Sequence, residues 1–430
     1  MMYAIYNLML LVLAVILSPV IIVLVLSQHK YRTGFLEKCT LSYPILQLHE
    51  RPLWIHAVSV GEVMAAAPLI REIKRWYPRL PVIVSTITVT GNLTARRNLK
   101  KVDGVIFFPY DYPVIVKRCI KRIRPRAFIA LETEIWPNML RELNRHGIPA
   151  MIVSGRISER SYKNYYLFRF FFRRVLAYVA CCCMQSEGDA QRIIAIGADP
   201  TRVVVTGNVK FDLQIPPISE HEHRRLRDEL KIQEQQPVII AGSTHRGEEE
   251  LFLEIFKTVK QRFPDALLIL APRHPERFDE VATLLQRSGM HWHKRTLLAT
   301  HHAATQPTDI IMLDTIGELA KIYSLGTVIF IGGSLVPVGG HNVLEPGVFK
   351  KPVVFGPFME NFAEIARILT ERHAACQVQN KEECASQILR LLEDPDLRAR
   401  IGNAAFRVIE ENTGAVARSL AMIEKTVGKL

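Results

Sequence analysis

Apolar positions along the chain fall into two patterns. The first is a single run: residues 8–26 are almost wholly apolar, and residues 1–28 carry no Asp, Glu, Lys or Arg. About 20 apolar residues suffice for a helix to cross a bilayer, so this run predicts a transmembrane helix with Pro19 as its kink point. The second pattern is an alternation. Short apolar runs at 53–58, 81–86, 105–108, 127–131, 150–153 and 203–206 are separated by amphipathic stretches. They read as buried strands joined by helices, the signature of a parallel sheet covered on both faces. A polar, charged segment follows Pro216 and Pro217, and the alternation restarts at 238–241, 266–270, 310–313, 328–331 and 353–355. The expected fold class is α/β, two doubly wound Rossmann-like domains behind a transmembrane helix. The expected divisions are 1–28, 29–215, 216–411 and 412–430. Such domains take ligands at the carboxyl ends of their strands, here in a cleft that the two would share.

Composition narrows the partners. The chain has 430 residues, too many for one ordinary domain. Its net charge of +13 favours an anionic partner: nucleic acid, acidic lipid or a phosphorylated substrate. No Lys/Arg block and no zinc-finger spacing singles out nucleic acid, which is therefore not expected as a partner. Seven cysteines form no Cys-x-x-Cys pair. Cys181, Cys182 and Cys183 sit in a strand-like apolar run, where cysteine acts as a small core residue. A reducing compartment without disulfides follows. A cleaved signal peptide is disfavoured, because the apolar run is long and lacks a basic start. Lys30, Arg32 and Lys38 come next, and the positive-inside rule then leaves the rest of a single-pass chain in the cytoplasm. Residues 156–174 interleave Arg156, Arg160, Lys163, Arg169, Arg173 and Arg174 with Tyr and Phe. That mixture suits a membrane interface; it also suits an ordinary helix with a basic outer side and an aromatic inner one.

Candidate chemistry gathers where strands give way to helices. The stretch GGSLVPVGGHNVLEP, 332–346, offers glycine N–H groups to an anion and a helix starting near Asn342. Glu345, one turn in, is placed to bind ribose hydroxyls; a tight packing turn is the other reading. In AVSVGE, Ser59 and Glu62 match a capping box, and Glu62 also stands where a general base would face a cleft. In ETEIWPN, Glu132 ends a strand and Glu134 favours a helix start. In TGNVKFD, Lys210 either pairs with Asp212 or neutralises a departing phosphate. APRHPERF places Arg273 and His274 where a phosphate would bind, DTIGEL offers backbone to a base edge, and AGSTHRGEEE has Ser243 or Thr244 as a cap. The dinucleotide, P-loop and HExxH motifs are absent from the sequence, and Asp394-Pro395-Asp396 reads as a helix start, so no metal is expected.

These motifs, with PVIVSTITVTG and FPYDYP and in this order, resemble the 3-deoxy-D-manno-octulosonic acid (Kdo) transferases of lipopolysaccharide biosynthesis over nearly the whole chain. The resemblance implies a GT-B fold: an N-terminal acceptor domain (29–215), a C-terminal CMP-Kdo domain (216–411) and a last helix crossing back to the first. It implies an inverting, metal-independent glycosyltransferase of the bacterial inner membrane. Kdo would pass from CMP-Kdo to a lipid A precursor, lipid IVA, with no cofactor beyond that donor. By motif, Glu62 is the implied base, and Glu132 and Lys210 are implied to stabilise the transition state. Pro272 and Arg273, Ile316, Gly317 and Glu318, and Asn342, Val343, Leu344 and Glu345 are implied to bind CMP. The chain departs from the family pattern at Lys38, Cys39, Val343 and Pro346, none of which touches the base. A GT-B transferase for another nucleotide sugar, or a non-catalytic membrane-tethered relative, are the alternatives.

Overall fold

The structure, a computed structural model, describes residues 2–27, 32, 34–44, 48–213, 215, 217–298 and 308–428. Gln28 and Lys30 beside the apolar helix, and Pro216 of the expected boundary, lie outside these residues. The chain forms two compact units, Met1–Asp212 with Asn412–Leu430, and Leu213–Glu411.

The first unit holds seven parallel strands in the order β3-β2-β1-β4-β5-β6-β7. They are β1 (Leu53–His56), β2 (Val82–Thr86), β3 (Gly104–Phe107), β4 (Ala127–Leu131), β5 (Ala150–Gly155), β6 (Val179–Met184) and β7 (Val203–Val205). β1, β2, β4 and β5 are buried along their whole length, as apolar runs must be when helices cover both faces. Side chains alternate between two cores. Trp54, Ile83 and Phe128 join the helix Pro137–Arg145 on one face; Leu53, Ile55, Val82 and Val84 join the helix Val60–Trp76 on the other. β6 carries the three consecutive cysteines into the sheet, and all seven cysteines are free thiols.

The helix Ala415–Val427 belongs to this first unit and contributes Ala415, Val416, Leu420 and Ile423 to its core. Asp212 fastens its start, accepting the N–H groups of Gly414 (2.5 Å) and Val416.

The second unit repeats the plan with strand order β10-β11-β9-β8-β12-β13-β14. These are β8 (Val238–Thr244), β9 (Leu267–Pro272), β10 (Trp292–Lys294), β11 (Ile310–Met312), β12 (Val328–Ile331), β13 (Val353–Phe355) and β14 (Cys376–Gln377). β10 and β14, absent from the apolar pattern, are edge strands of three and two residues that need little hydrophobic signal.

The apolar segment forms one helix, Met2–Ser27, whose large side chains beyond Asn7 are mostly exposed. Its first three turns are tied down. Tyr3 Oη donates to Pro137 O (3.2 Å), Tyr6 Oη to Asp111 Oδ2 (2.9 Å) and Asn138 Nδ2 to Asn7 Oδ1 (2.7 Å), while Tyr112 Oη donates to Leu10 O (3.1 Å).

Candidate active site

In the first sheet the winding reverses between β1 and β4, which pair from Leu53↔Ala127 to His56↔Ala130. Loops leave these two carboxyl ends towards opposite faces, and this opens a crevice. Glu62 follows β1. The expected capping box forms only in part: Ser59 Oγ caps no backbone N–H and instead donates to Glu62 Oε1 (3.2 Å). Glu62 Oε2 accepts the Val58 N–H at 2.8 Å, which turns the carboxyl group back over the strand end. Glu62 is 9% exposed. Burial first, and then the charge of Glu132, pushes its pKa up to about 8.

Glu132 follows β4 with φ 55°, a left-handed backbone that costs a non-glycine residue about 1 kcal/mol. Its N–H still completes the ladder to Val153 O (3.0 Å), and its carboxylate meets Lys210 Nζ at 2.9 Å. Lys210 is held by the single turn Val209–Phe211, where Val209 and Phe211 are buried and Asn208 Oδ1 takes the Lys210 N–H (2.9 Å). The sequence left Lys210 an alternative partner in Asp212, but Asp212 is occupied in capping the Ala415–Val427 helix. Glu134 accepts from Trp136 Nε1 (2.9 Å), and burial lifts its pKa to about 7. Three carboxyl groups that feel one another's charge therefore gather at a single sheet edge, and Glu132 among them holds the Lys210 ammonium group.

In the second unit the reversal lies between β8 and β12, and three expectations need correction there. The N–H groups of Gly333, Ser334 and Leu335, just after β12, do not await a ligand. Glu248, fully buried, accepts from Gly333 (2.6 Å), Ser334 (3.0 Å), Leu335 (2.9 Å) and His245 (3.0 Å). Buried N–H groups need an acceptor, and here the protein supplies the anion itself. The helix expected near Asn342 is the five-residue turn Leu344–Val348, too short for a strong dipole. The cap of the helix Glu248–Arg262 is Gly247 (φ 92°), not Ser243 or Thr244; Thr244 Oγ1 donates to Glu249 instead (2.9 Å).

Side chains remain to meet a ligand at this edge. Arg273 is exposed beyond β9, and its charge acts on His245, His341 and Glu345. The His245 and His341 rings stack, with their Nε2 atoms 2.7 Å apart, so one donates and the other accepts. Burial lowers their pKa values to about 4 and about 3. Asn342 joins Glu345 through a 3.2 Å hydrogen bond. Pro272, Val343 and Leu344 are buried, so of residues 342–345 only Asn342 and Glu345 keep accessible polar side chains. Ile316 is 80% exposed and Gly317 has φ 92° at the end of β11. Glu318 engages Thr315 (2.6 Å) and Arg295 (3.4 Å), outside the Arg273–Glu345 cluster.

A family model described as 3-deoxy-D-manno-octulosonic-acid transferase (kdotransferase) matches residues 28–213. The 3-deoxy-D-manno-octulosonic acid transferase of Haemophilus influenzae is 34% identical over 375 residues, which is 86% of this chain and 86% of that protein. This chain belongs to the Kdo transferase family. The enzyme of the same description from Rickettsia felis is 32% identical over 90% of this chain and 82% of its own length. A glycosyltransferase from Rickettsia africae matches 89% of this chain and 100% of its own with a TM-score of 0.55 at 13% identity. The two doubly wound units are those of a GT-B fold.

Several residues that shape the sites of this Kdo transferase escaped the sequence reading. Glu248 and Glu249 belong to a run of three glutamates that passes for ordinary helix-start charge. Both are fully buried, and Glu249 grips Arg277 through two contacts of 2.9 and 3.1 Å. The spacing of His245 and His341, 96 residues apart, carries no signal at all. Tyr162, Tyr165, Phe171 and Phe172 pack on the core, while Tyr166, Leu167, Phe168 and Phe170 are exposed beside Arg169.

Proposed function

We propose that this enzyme transfers Kdo from CMP-Kdo to a hydroxyl of a phosphorylated lipid A precursor such as lipid IVA, with inversion and without a metal. It would work at the cytoplasmic face of the inner membrane, as a step of lipopolysaccharide synthesis. The observation that carries the reading is the Glu62 carboxyl group, buried beside the Glu132–Lys210 pair with a pKa of about 8. A base is most effective when its pKa lies near the working pH. In the step proposed, the acceptor oxygen bonds to the anomeric carbon as the bond to the CMP phosphate breaks, and that electron pair leaves with CMP. The hydroxyl proton passes to Glu62. Lys210, oriented by Glu132, supplies positive charge to the transition state. Arg273 meets the donor's phosphate, and Asn342 and Glu345 its ribose, with Pro272, Ile316, Gly317, Glu318, Val343 and Leu344 shaping that site. The exposed apolar helix and the Tyr166–Phe170 surface hold the enzyme against lipid.

The test is incubation of the detergent-solubilised protein with a CMP-Kdo-generating system and tetraacylated lipid A precursor, followed by mass spectrometry of the lipid. A gain of one or more Kdo units is expected. Unchanged lipid, from folded protein that binds CMP in preference to UDP and GDP, would remove the acceptor assignment. Preference for UDP or GDP would remove the donor.

A further inference from the structure

By length and hydropathy the first helix can cross a membrane, yet both its flanks are fastened to one loop, residues 107–112. On the amino-terminal side Tyr6 binds Asp111 and Leu10 binds Tyr112, with Asn7 on Asn138 alongside. On the other side Glu37 accepts the Phe107 N–H (2.6 Å) and Lys38 O accepts the Tyr110 N–H (3.0 Å). Gly34 lies so close to the Phe107 ring that a Cβ there would be 2.4 Å from it.

A crossing helix would put Ser27 beyond a hydrocarbon core about 30 Å thick. Six residues separate Ser27 from Gly34, and the seven steps between those two reach at most about 24 Å. Lys30 and Arg32 are among the six, and each is costly inside hydrocarbon. The link is too short and too charged to return through a membrane.

The amino-terminal attachment is built into the sequence. Tyr3, Tyr6, Asn7 and Leu10 form one stripe at helical spacing. Of these, Tyr6 meets Asp111 and Asn7 meets Asn138, which are 5% and 4% exposed. Tyr3 and Tyr6 each pack on Phe171 at 5.5 Å, and Arg141 lies over the Tyr3 ring at 4.6 Å. Pulling the helix away would take one partner each from the buried Asp111 and Asn138. Leu8, Met9, Leu11, Val12, Val15 and Ile16 are meanwhile exposed.

We propose that the helix Met2–Ser27 lies shallowly in one leaflet with both of its ends at the same face, as an anchor clamped to the loops after β3 and β4, in place of the single crossing its composition predicts. The proposal rests on the membrane reading above. Its consequence is that lipid is held beside the loop that carries Glu132 and Glu134.

Two measurements on the full chain in its native membrane test it. Oxidation of inner-membrane vesicles carrying Asn7→Cys with Asn138→Cys should link the two positions in most molecules. Ile5→Cys, at a position 51% exposed, should resist a membrane-impermeant maleimide in intact spheroplasts and react in inverted vesicles. Labelling of Ile5→Cys from the periplasmic side, with no cross-link between positions 7 and 138, would overturn the proposal while leaving the membrane reading intact. Protein that stays in the supernatant when membranes are pelleted would overturn both.

Discussion

The crevice between β1 and β4 and the one between β8 and β12 occupy equivalent positions in two similarly wound sheets, but they are filled in opposite ways. In the first, Glu62, Glu132 and Glu134 crowd together, and Lys210 is paired with Glu132. The group is electrostatically tense, and burial raises the pKa of two of the three carboxyl groups, to about 8 at Glu62 and about 7 at Glu134. In the second, the strongest anion site is already satisfied, since Glu248 takes four backbone N–H groups. What faces outward there is Arg273, exposed beside the paired imidazoles. The same topology thus carries a crowded carboxyl cluster in one unit and a self-satisfied loop in the other. A strained carboxyl cluster suits chemistry, and a saturated loop suits a ligand that must be held in one place.

The largest effect expected from this contrast is on turnover. Glu62→Gln should lower kcat by about 10²–10⁴-fold while CMP affinity, measured by calorimetry, stays within about twofold. Equal losses in both would break the division of labour. Stability should separate the two carboxylates next. Glu248→Gln removes an acceptor oxygen from a fully buried nest and should cost about 3 kcal/mol in urea unfolding. Glu62→Gln should instead stabilise the protein, and more so at high pH. The Glu62 carboxyl titrates at about 8 when folded against an ordinary 4.5, so folding favours its protonated form. Wild-type stability from this group is therefore present below pH 4.5 and lost as pH rises to about 8. A melting-temperature gap between Glu62→Gln and wild type that widens from pH 6 to pH 9 is the expected result.

Arg273→Met should weaken CMP binding by about 10–100-fold, as loss of a charge-assisted contact does, and leave the pH profile of kcat unmoved. The smallest effect sharpens the first crevice alone. Glu134 is one of the charges raising the Glu62 pKa, so Glu134→Gln should slide the acidic limb of kcat/KM to lower pH, by less than one unit. A limb that stays in place would mean that Glu62 does not govern it.

The sheets were legible from the sequence because their strands are fully buried and the apolar runs stand out, as at Val82–Thr86 and Leu267–Pro272. β6 was legible only as an apolar run, since three cysteines and a methionine carry little strand preference. The site was legible as motifs and illegible as partnerships. Glu132 and Lys210 are 78 positions apart, and Glu248 and Gly333 are 85 apart. No local rule distinguishes a glutamate that opens a helix from one that fills a nest across the sheet. The glycine-rich stretch misled for the same reason: glycines make N–H groups available, but the acceptor is decided by a residue elsewhere.

The Ala415–Val427 helix has a consequence for synthesis. Its four apolar residues complete the core around β1 and β5, and Asp212 waits for its start. A ribosome makes most of the first unit before the second unit and this helix after it. The first unit therefore stays incomplete until a plug arrives that is translated more than two hundred residues after Asp212. The nascent chain should remain sensitive to protease at β6 and at the Val60–Trp76 helix until the Ala415–Val427 helix has been released.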